Sequence, residues 1–576
     1  MSQSLTVTLI TGRTLDQGRG REEGKFTELF YRSTAIVELD PDDFTRLNPK
    51  GNVKVKTDYG EVVVQPIQSS MRHPGIAFIP MGPWANIVID PNTRGSGMPT
   101  FKGVKATIEA TSEPVLKLDD LILRYYGREV KIPPASDPPS SSIGERVVEA
   151  VPCPYCGCLC DDITATVRDG RIVSVKGGCA LSNSKFLHYN DGRIAAPMMR
   201  VNGGFKSISL EEAVRKAAEI LVNSKYPLLY GWSNTSIQAL RVGIELTELL
   251  GGVIDNTTAT CHGPTIQGIH YTGTITSTLG QMRNRADLMI FWGCNPLNAH
   301  PKHASRYSAT ARGVYVKSRR ERKIVVVDVR ETATSRMADL FIKVEPGKDY
   351  ELITALRMAL QDYDIEQDFV AGVPREKVYE LADIMRTAKF GVLFFGLGVT
   401  MSEGKERNIE EVEKLVQDLN LWTKFVLLAM RGHFNVTGAN AATLWITGYP
   451  YAVDFSRGFP RYNPSITSGT ELLINGDVDA ALIVASDPAA HFPRKAVENL
   501  LRIPTIVIDP KWSVTASIAD IVIPCAYVGI ECEGTAYRMD GVPLRLRKIV
   551  DPPVGIVSDV DVLNMILNEV KRIVGG

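Results

Sequence analysis

The densest chemistry in the chain is a run of thiols, Cys153-Pro-Tyr-Cys156-Gly-Cys158-Leu-Cys160-Asp-Asp, followed by Cys179 in Gly-Gly-Cys-Ala. Cys153, Cys156, Cys160 and Cys179 give the spacing C-x2-C-x3-C, then eighteen residues, then C. A short loop lets its thiolates converge, and the last thiol returns from a hairpin. Thiolates are soft ligands, and four of them suit zinc or an iron–sulfur cluster. A zinc knuckle pairs C-x2-C with C-x2-C, which the x3 spacing fits poorly. A four-iron cube has more widely spaced corners and tolerates it. Buried structural cysteines are the third alternative, and Cys158 is surplus to any set of four.

Two further segments carry reactive side chains. In Thr260-Cys261-His262-Gly263-Pro264 a thiol stands beside an imidazole, as in a nucleophile or a metal ligand; the plain alternative is a loop cysteine with no such role. In Arg431-Gly432-His433-Phe434-Asn435-Val436 an arginine on a glycine turn suits carboxylate or phosphate. An exposed Arg at a helix start would look the same.

Several apolar strands also end in small or polar residues. They are Gly293 and Asn295 in Phe-Trp-Gly-Cys-Asn-Pro, Asp328 and Arg330 in Val-Asp-Val-Arg, Gly396 and Gly398, Asp487, and Asp509. In open α/β sheets the ligand crevice lies at such ends, where glycine admits phosphate and Asp accepts from a ribose or a guanine edge. Each alone is also an ordinary strand-to-helix turn; together they ask for something large and phosphorylated. No G-x-G-x-x-G opens a helix, which disfavours a plain nicotinamide site.

The elements that must position these residues fall into two grammars. Residues 1–130 alternate as strands (Leu5–Ile10, Ala35–Leu39, a hairpin about Asp58-Tyr-Gly60, and Gly75–Pro80), with a helical turn at Pro41–Leu47. Strands joined by Gly and Pro turns predict a closed β-barrel. Residues 131–144 are Pro- and Ser-rich, a semi-rigid linker. Residues 145–205 carry the thiols among short strands. From Ser209 a capping box opens an amphipathic helix, and Ile237–Leu250 is a second helix closed by Gly251. Continuous apolar runs such as Lys323–Asp328, Val392–Phe395, Ala480–Val484 and Thr505–Asp509 then alternate with helices. That predicts α/β architecture with doubly wound parallel sheets in units 206–390 and 391–510, and a segment 511–576 returning to the α/β body.

Composition excludes several classes. Lys plus Arg and Asp plus Glu balance at 65 each, which gives no electrostatic case for nucleic acid or an anionic membrane. No apolar run approaches the roughly 20 residues of a membrane span, and the N-terminus lacks a secretory pattern. Nine cysteines, five of them clustered, are not a disulfide framework and predict a reducing, cytoplasmic setting.

Taken together these motifs resemble the molybdopterin oxidoreductase superfamily. The thiol loop before an α/β body, Trp-Gly-x-Asn-Pro, Val-Asp-x-Arg, Glu345-Pro-Gly347-Lys-Asp349, Ala519-Asp-Ile-Val-Ile-Pro524, Glu533-Gly-Thr and Arg538-Met-Asp-Gly541 carry the likeness. Within it, the thiol loop, Thr-Cys-His-Gly-Pro and Arg-Gly-His-Phe-Asn-Val resemble the B component of formylmethanofuran dehydrogenases over about 145–576. The N-terminal part, with Thr11-Gly12-Arg13 and Pro83-Trp-Ala-Asn86, is similar to the separate D component, a double-psi-like dinucleotide-binding barrel. The chain thus resembles a fusion of the two.

The resemblance implies two molybdopterin guanine dinucleotides holding molybdenum or tungsten, with Cys261 and a sulfido group as further ligands. It implies one [4Fe-4S] cluster on Cys153, Cys156, Cys160 and Cys179. Lys185 lies between cluster and pterin in this reading, with His262 and Arg431 by the metal. The cofactor contacts expected are Thr11, Gly12, Arg13, Asn86, Lys185, Gly293, Asn295, Asp328, Arg330, Gly347, Gly396, Gly398, Asp487 and Asp509. The implied reaction reduces carbon dioxide to formate, as in methanogenesis. Formate passes to an amidohydrolase-like partner that joins it to methanofuran. Polyferredoxin or ferredoxin-like subunits, and other complex members such as heterodisulfide reductase, complete the expected partners. The rival readings are a stand-alone formate dehydrogenase, a metal-free electron-relay protein and a zinc-bound binding module.

Overall fold

A computed structural model of the chain describes residues 4–133 and 144–575. Residues 134–143 of the expected linker, 131–144, therefore lie outside the described residues.

The N-terminal strands close into a six-stranded barrel. Its order is Ser4–Gly12, Ile76–Pro80, Ile36–Leu39, Gly60–Gln68, Asn52–Thr57 and Lys102–Thr111, the last pairing back with the first. Alternation explains the interior: Leu5, Val7 and Leu9 point in with Val37, Val53, Val55, Val62, Val64 and Ile108. The helix Pro41–Leu47 forms as expected, capped by Asp40 with Pro at its first turn. The barrel core runs on into Tyr230, Phe492 and Trp512 of the body, so the barrel is fused to its neighbour by a shared apolar core.

Two sheets make the body. A five-stranded, all-parallel sheet runs in the order Leu340–Lys343, Lys323–Asp328, Leu288–Trp292, Phe390–Phe395, Lys424–Ala429. A nine-stranded mixed sheet contains the parallel strands Val253–Asn256, Pro227–Gly231, Ala480–Val484, Thr505–Ile508 and Ile521–Ile523. The Ser209 hydroxyl accepts from Glu212 N at 3.1 Å at the head of its helix. The helix Ile237–Leu250 ends at Gly251 with φ 64°.

The expected boundary at 390/391 is corrected. Phe390–Phe395 pairs with Leu288–Trp292, so the cut would sever one sheet, and the first two strands of the 206–390 unit belong with 480–523 instead. Apolar strands look alike in sequence, and which pairs with which is settled only by the crossover helices. The boundary at 205/206 also moves, because Met198–Val201 and Gly204–Ser207 form one hairpin on the edge of the nine-stranded sheet. A three-stranded sheet, Glu145–Val151, Ile163–Arg168 and Arg171–Lys176, carries the thiol loop. No helix among the described residues is long and apolar enough to cross a membrane.

Strand ends in the five-stranded sheet are pressed together by glycine. A Cβ on Gly398 would lie 2.4 Å from Gly293 Cα, and Gly293 itself has φ 56°. Gly398→Ala is expected to cost about 3 kcal/mol through backbone-against-backbone overpacking, read as a lowered melting temperature. An unchanged melting temperature would show that the two strand ends can part freely.

Candidate functional site

The C-terminal ends of the five-stranded sheet face the barrel across a cleft of about 470 Å³. Its lining brings together residues singled out separately in the sequence: Thr11, Gly12 and Arg13 from the barrel, with Cys261, Gly293, Asn295, Asp328, Arg330, Gly347, Gly396 and Gly398 from the body. Cations crowd it. Arg330 lies over the Phe78 ring at 4.2 Å, and Lys102, Lys348 and Lys405 join Arg13. Burial pushes the Lys102 and Lys405 ammonium groups down to about 8. Asp328, raised by burial, takes the Val329 N–H at 2.8 Å.

Cys261 is 8 % exposed, and its loop is fixed in detail. The Thr258 carbonyl accepts the N–H groups of Cys261, His262 and Gly263 at 3.0, 3.0 and 2.7 Å. Thr400 Oγ1 donates to the Cys261 carbonyl at 3.1 Å. Burial raises the pKa of the thiol, against the opposing charges of Arg13 and Arg431. Arg13 stands open to the cleft; Arg431 is buried and lines neither cavity, although its neighbours Met430 and Gly432 line the first, and its guanidinium donates to Asn440 Oδ1. The exposed-arginine alternative for Arg431 is thus excluded by its burial.

A second cavity, about 250 Å³, adjoins the first at Arg13, Ala299 and Gly432. It lies toward the nine-stranded sheet and carries Lys185, Asp487 and Asp509, with Arg21, Lys25 and Lys511 supplying positive charge. Burial pushes the Asp509 carboxyl up to about 7. Two neighbouring cation-lined cavities, one with a thiol in its wall, fit two elongated anionic cofactors better than one.

All five clustered cysteines line one small void with Tyr155, Leu159, Ile163, Ser182, His300, Pro301 and Lys302. Its donors are thiols with no carboxylate, the set that suits a soft or polynuclear centre. Among the described residues no three His, Cys, Asp or Glu side chains converge tightly enough to hold a single metal ion. Cys158 lies beside both Cys156 and Cys160, raised by hydrogen bonds with them. The thiol loop is stitched to the arginine turn: Gly157 N–H donates to the Gly432 carbonyl at 3.2 Å, and Cys156 bridges to His433. One turn, 431–433, therefore touches both the thiol site and Cys261.

Three expected contacts are corrected. Asn86 is buried in the barrel helix Pro83–Asn86 and lines neither cavity. Asp487 lines the second cavity, but its carboxylate is already taken by Val514 N, Thr515 N, Thr515 Oγ1 and Lys25, so no free edge remains for a guanine. His262 sits behind Cys261, its Nδ1 paired with Thr265 Oγ1 at 2.9 Å and its ring edge-on to Phe395, and it lines neither cavity. Burial pushes it down to about 3, so the ring is neutral.

Nothing in the sequence marks His300 or Lys405. His300 borders the large cleft and the thiol void alike, and its Nε2–H donates to the Arg431 carbonyl at 2.9 Å. Lys405, in Ser-Glu-Gly-Lys-Glu, reads as a surface turn. Instead it is 4 % exposed and clasps the barrel, donating to Thr93 O at 2.9 Å, Ser96 Oγ at 3.3 Å and Met98 O.

Comparisons with known proteins follow the same division. A family model described as molybdopterin oxidoreductase matches residues 193–569, and one described as molydopterin dinucleotide binding domain matches 7–105. The chain is 48% identical over 431 residues to the B component of tungsten-containing formylmethanofuran dehydrogenase 2 of Methanocaldococcus jannaschii, covering 74% of this chain and 99% of that one. It is 42% identical over 124 residues to protein FwdD of the same organism, covering 20% of this chain and 93% of that one. The formyltransferase/hydrolase complex FhcABCD of Methylorubrum extorquens contains a chain similar in fold, with TM-score 0.54 and 22% identity over 66% of this chain and all of that one. Barrel and body thus each find their counterpart, and the chain belongs to the molybdopterin oxidoreductase family, its body similar to the B components of formylmethanofuran dehydrogenases and its barrel to FwdD.

Proposed function

We propose that this chain is the catalytic subunit of a formylmethanofuran dehydrogenase, interconverting carbon dioxide and formate. The overall change is CO2 plus two electrons plus one proton giving formate. The observation that carries the reading is the thiol of Cys261 in the wall of the larger cavity, with Arg13 in the same wall and the charge of buried Arg431 also acting on the sulfur. When bound, a molybdenum or tungsten centre on two pterin dinucleotides, completed by a sulfido ligand, supplies two-electron chemistry at that point.

The chain's own residues supply the rest. Cys261 would hold the metal as thiolate, because coordination by a cation deprotonates a thiol that burial otherwise keeps neutral. Arg13, Lys102 and Arg330 would neutralise pyrophosphate in the large cavity, and Arg21, Lys25, Lys185 and Lys511 in the small one. Arg431, buried beside the wall that carries Cys261, would hold the carboxylate that develops on the substrate by charge-assisted hydrogen bonds. His262, neutral and behind the sulfur, would position Cys261 rather than touch substrate.

The thiols Cys153, Cys156, Cys160 and Cys179 would hold one [4Fe-4S] cluster that passes electrons inward. Formate would leave for an amidohydrolase-like partner that condenses it with methanofuran, and ferredoxin-like partners would deliver electrons. This reading implies a reducing cytoplasm as the protein's setting.

Metal analysis of the purified protein tests the reading. One tungsten or molybdenum, with four iron and four acid-labile sulfide, is expected alongside formate-dependent dye reduction. Zinc without sulfide would remove it. Cys158→Ala is expected to keep iron and sulfide, while Cys160→Ala loses them. The reverse result would make Cys158 the ligand, since both lie at the same void.

A further inference from the structure

The barrel helix Leu15–Glu23 is not explained by hydrophobic packing. Its sequence, Leu-Asp-Gln-Gly-Arg-Gly-Arg-Glu-Glu, has no apolar stripe, and the residues it buries are Gln17, Gly20 and Glu22. A surface helix is ordinarily held by an apolar face. This one is held by close approach to the barrel helix Glu28–Thr34, where a Cβ on Gly20 would lie 2.9 Å from Phe30 Cα, and by polar contacts and close approach to the segment that carries the thiols.

Gly18 is the point of closest approach. A Cβ there would lie 2.6 Å from Tyr155 Oη and 2.6 Å from Leu181 Cδ2. One turn on, the Arg21 guanidinium carbon stands 4.7 Å from the centroid of the Tyr155 ring. Tyr155 directly precedes Cys156 and lines the thiol void on one side and the second cavity on the other. Arg21 is steadied by Glu22 Oε1 at 3.0 and 2.8 Å. Glu22 Oε2 is 3.1 Å from Lys185 Nζ, on the helix that starts just after Cys179. Ser184 of that helix donates to the Arg19 carbonyl at 3.2 Å, and Lys511 donates to the Glu22 carbonyl.

We propose that this helix is the wall that sets the charge environment of the iron–sulfur centre, with Arg21 acting through the face of Tyr155 to favour its reduced state and Glu22 opposing it. The proposal rests on the reading that the clustered thiols hold such a centre. Reduction adds one negative charge to it, and net charge nearby is one of the levers a protein has on cluster potential. A guanidinium over an aromatic ring is a fixed cation in a partly desolvated place. The barrel unit thereby tunes a centre whose ligands all come from the rest of the chain. Arg21, Glu22 and Tyr155 are positioning residues in this account, none of them a ligand.

The test is an EPR-monitored redox titration of the full-length holoprotein, with iron and sulfide content measured on each sample. At the ambient potential where the wild-type centre is half reduced, Arg21→Gln is expected to shift the reduced-to-oxidised ratio roughly three- to tenfold toward oxidised. Arg21→Lys restores most of that ratio, because it keeps the charge. Glu22→Gln shifts the ratio the other way. A role in packing alone would not move the two Gln variants in opposite directions. An unchanged ratio in Arg21→Gln with iron and sulfide intact overturns the proposal. Should Arg21→Gln fail to hold iron, the sign test passes to Glu22→Gln, and no shift toward reduced there overturns it. A wild-type protein without sulfide or a cluster signal sinks the reading of the thiols itself, a result distinct from a cluster that ignores Arg21.

Discussion

Cys261→Ala is expected to abolish formate-dependent dye reduction, by about 10³-fold or more, while the protein stays folded and keeps the iron and sulfide of its thiol loop. The structural side of that expectation is direct. The loop that presents Cys261 is held by main-chain bonds: three N–H groups converge on the Thr258 carbonyl, and Thr400 fixes the Cys261 carbonyl. None of these uses the sulfur. The sulfur lies in the cavity wall, so removing it vacates one atom's volume at the edge of an open cleft. That costs about 1–2 kcal/mol, well short of unfolding a large α/β body. The thiol void is a separate cavity that does not include Cys261. The chemical side follows from softness: Ala offers no donor in place of the thiolate. Substantial turnover in Cys261→Ala, with the metal in place, would remove the thiol from the centre. Cys261→Ser separates charge from shape, since a hydroxyl fills the space but is a harder, far less acidic ligand.

How much of this can be read from residues alone depends on whether the information is local. The barrel strands alternate, and alternation is a property of each segment, so Leu5, Val7 and Leu9 reveal their face without their neighbours. The thiol loop is legible for the same reason: Cys153, Cys156 and Cys160 lie within a few residues of one another. The strand-end residues Gly293, Asp328 and Gly398 converge because all open parallel sheets gather their carboxyl ends on one side. What escapes is non-local. Strand Phe390–Phe395 joins a sheet other than the expected one, because nothing within it names its partner. Asp487 carries the right chemistry for a ribose or guanine contact, but Thr515 and Lys25, distant in sequence, have already claimed it. Lys405 follows a glycine and reads as a solvated turn, yet the barrel loop 93–98 closes over it. The helix Leu15–Glu23 is invisible in the sequence, because without an apolar stripe it has no periodic signal to find.

Arg431→Lys is expected to lower turnover about 10²- to 10³-fold, although the substitution keeps a basic side chain. Two features of the site make it severe. First, the Arg431 guanidinium commits one N–H to Asn440 Oδ1. Asn440 is fixed in turn by Thr258 Oγ1 at 2.9 Å and the Pro450 carbonyl at 3.1 Å. That bond fixes the planar fork by one N–H, with the others to serve a carboxylate; an ammonium has three donors on one atom and cannot do both in one plane. Second, the site is desolvated. Burial pulls Arg431 down only to about 10, so it stays charged at neutral pH. The buried lysines of this same protein show what would happen to its replacement: burial pushes Lys405 and Lys511 down to about 8. Lys starts lower than Arg, so at position 431 it would lose charge near or below that pH. The sign is then fixed. A base with a depressed pKa regains its proton as pH falls, so the residual activity of Arg431→Lys, measured relative to wild type, should rise from pH 9 toward pH 7. A variant within twofold of wild type across that range would take Arg431 out of substrate binding. A uniformly low, pH-independent rate would keep the geometric half of the argument and discard the electrostatic half.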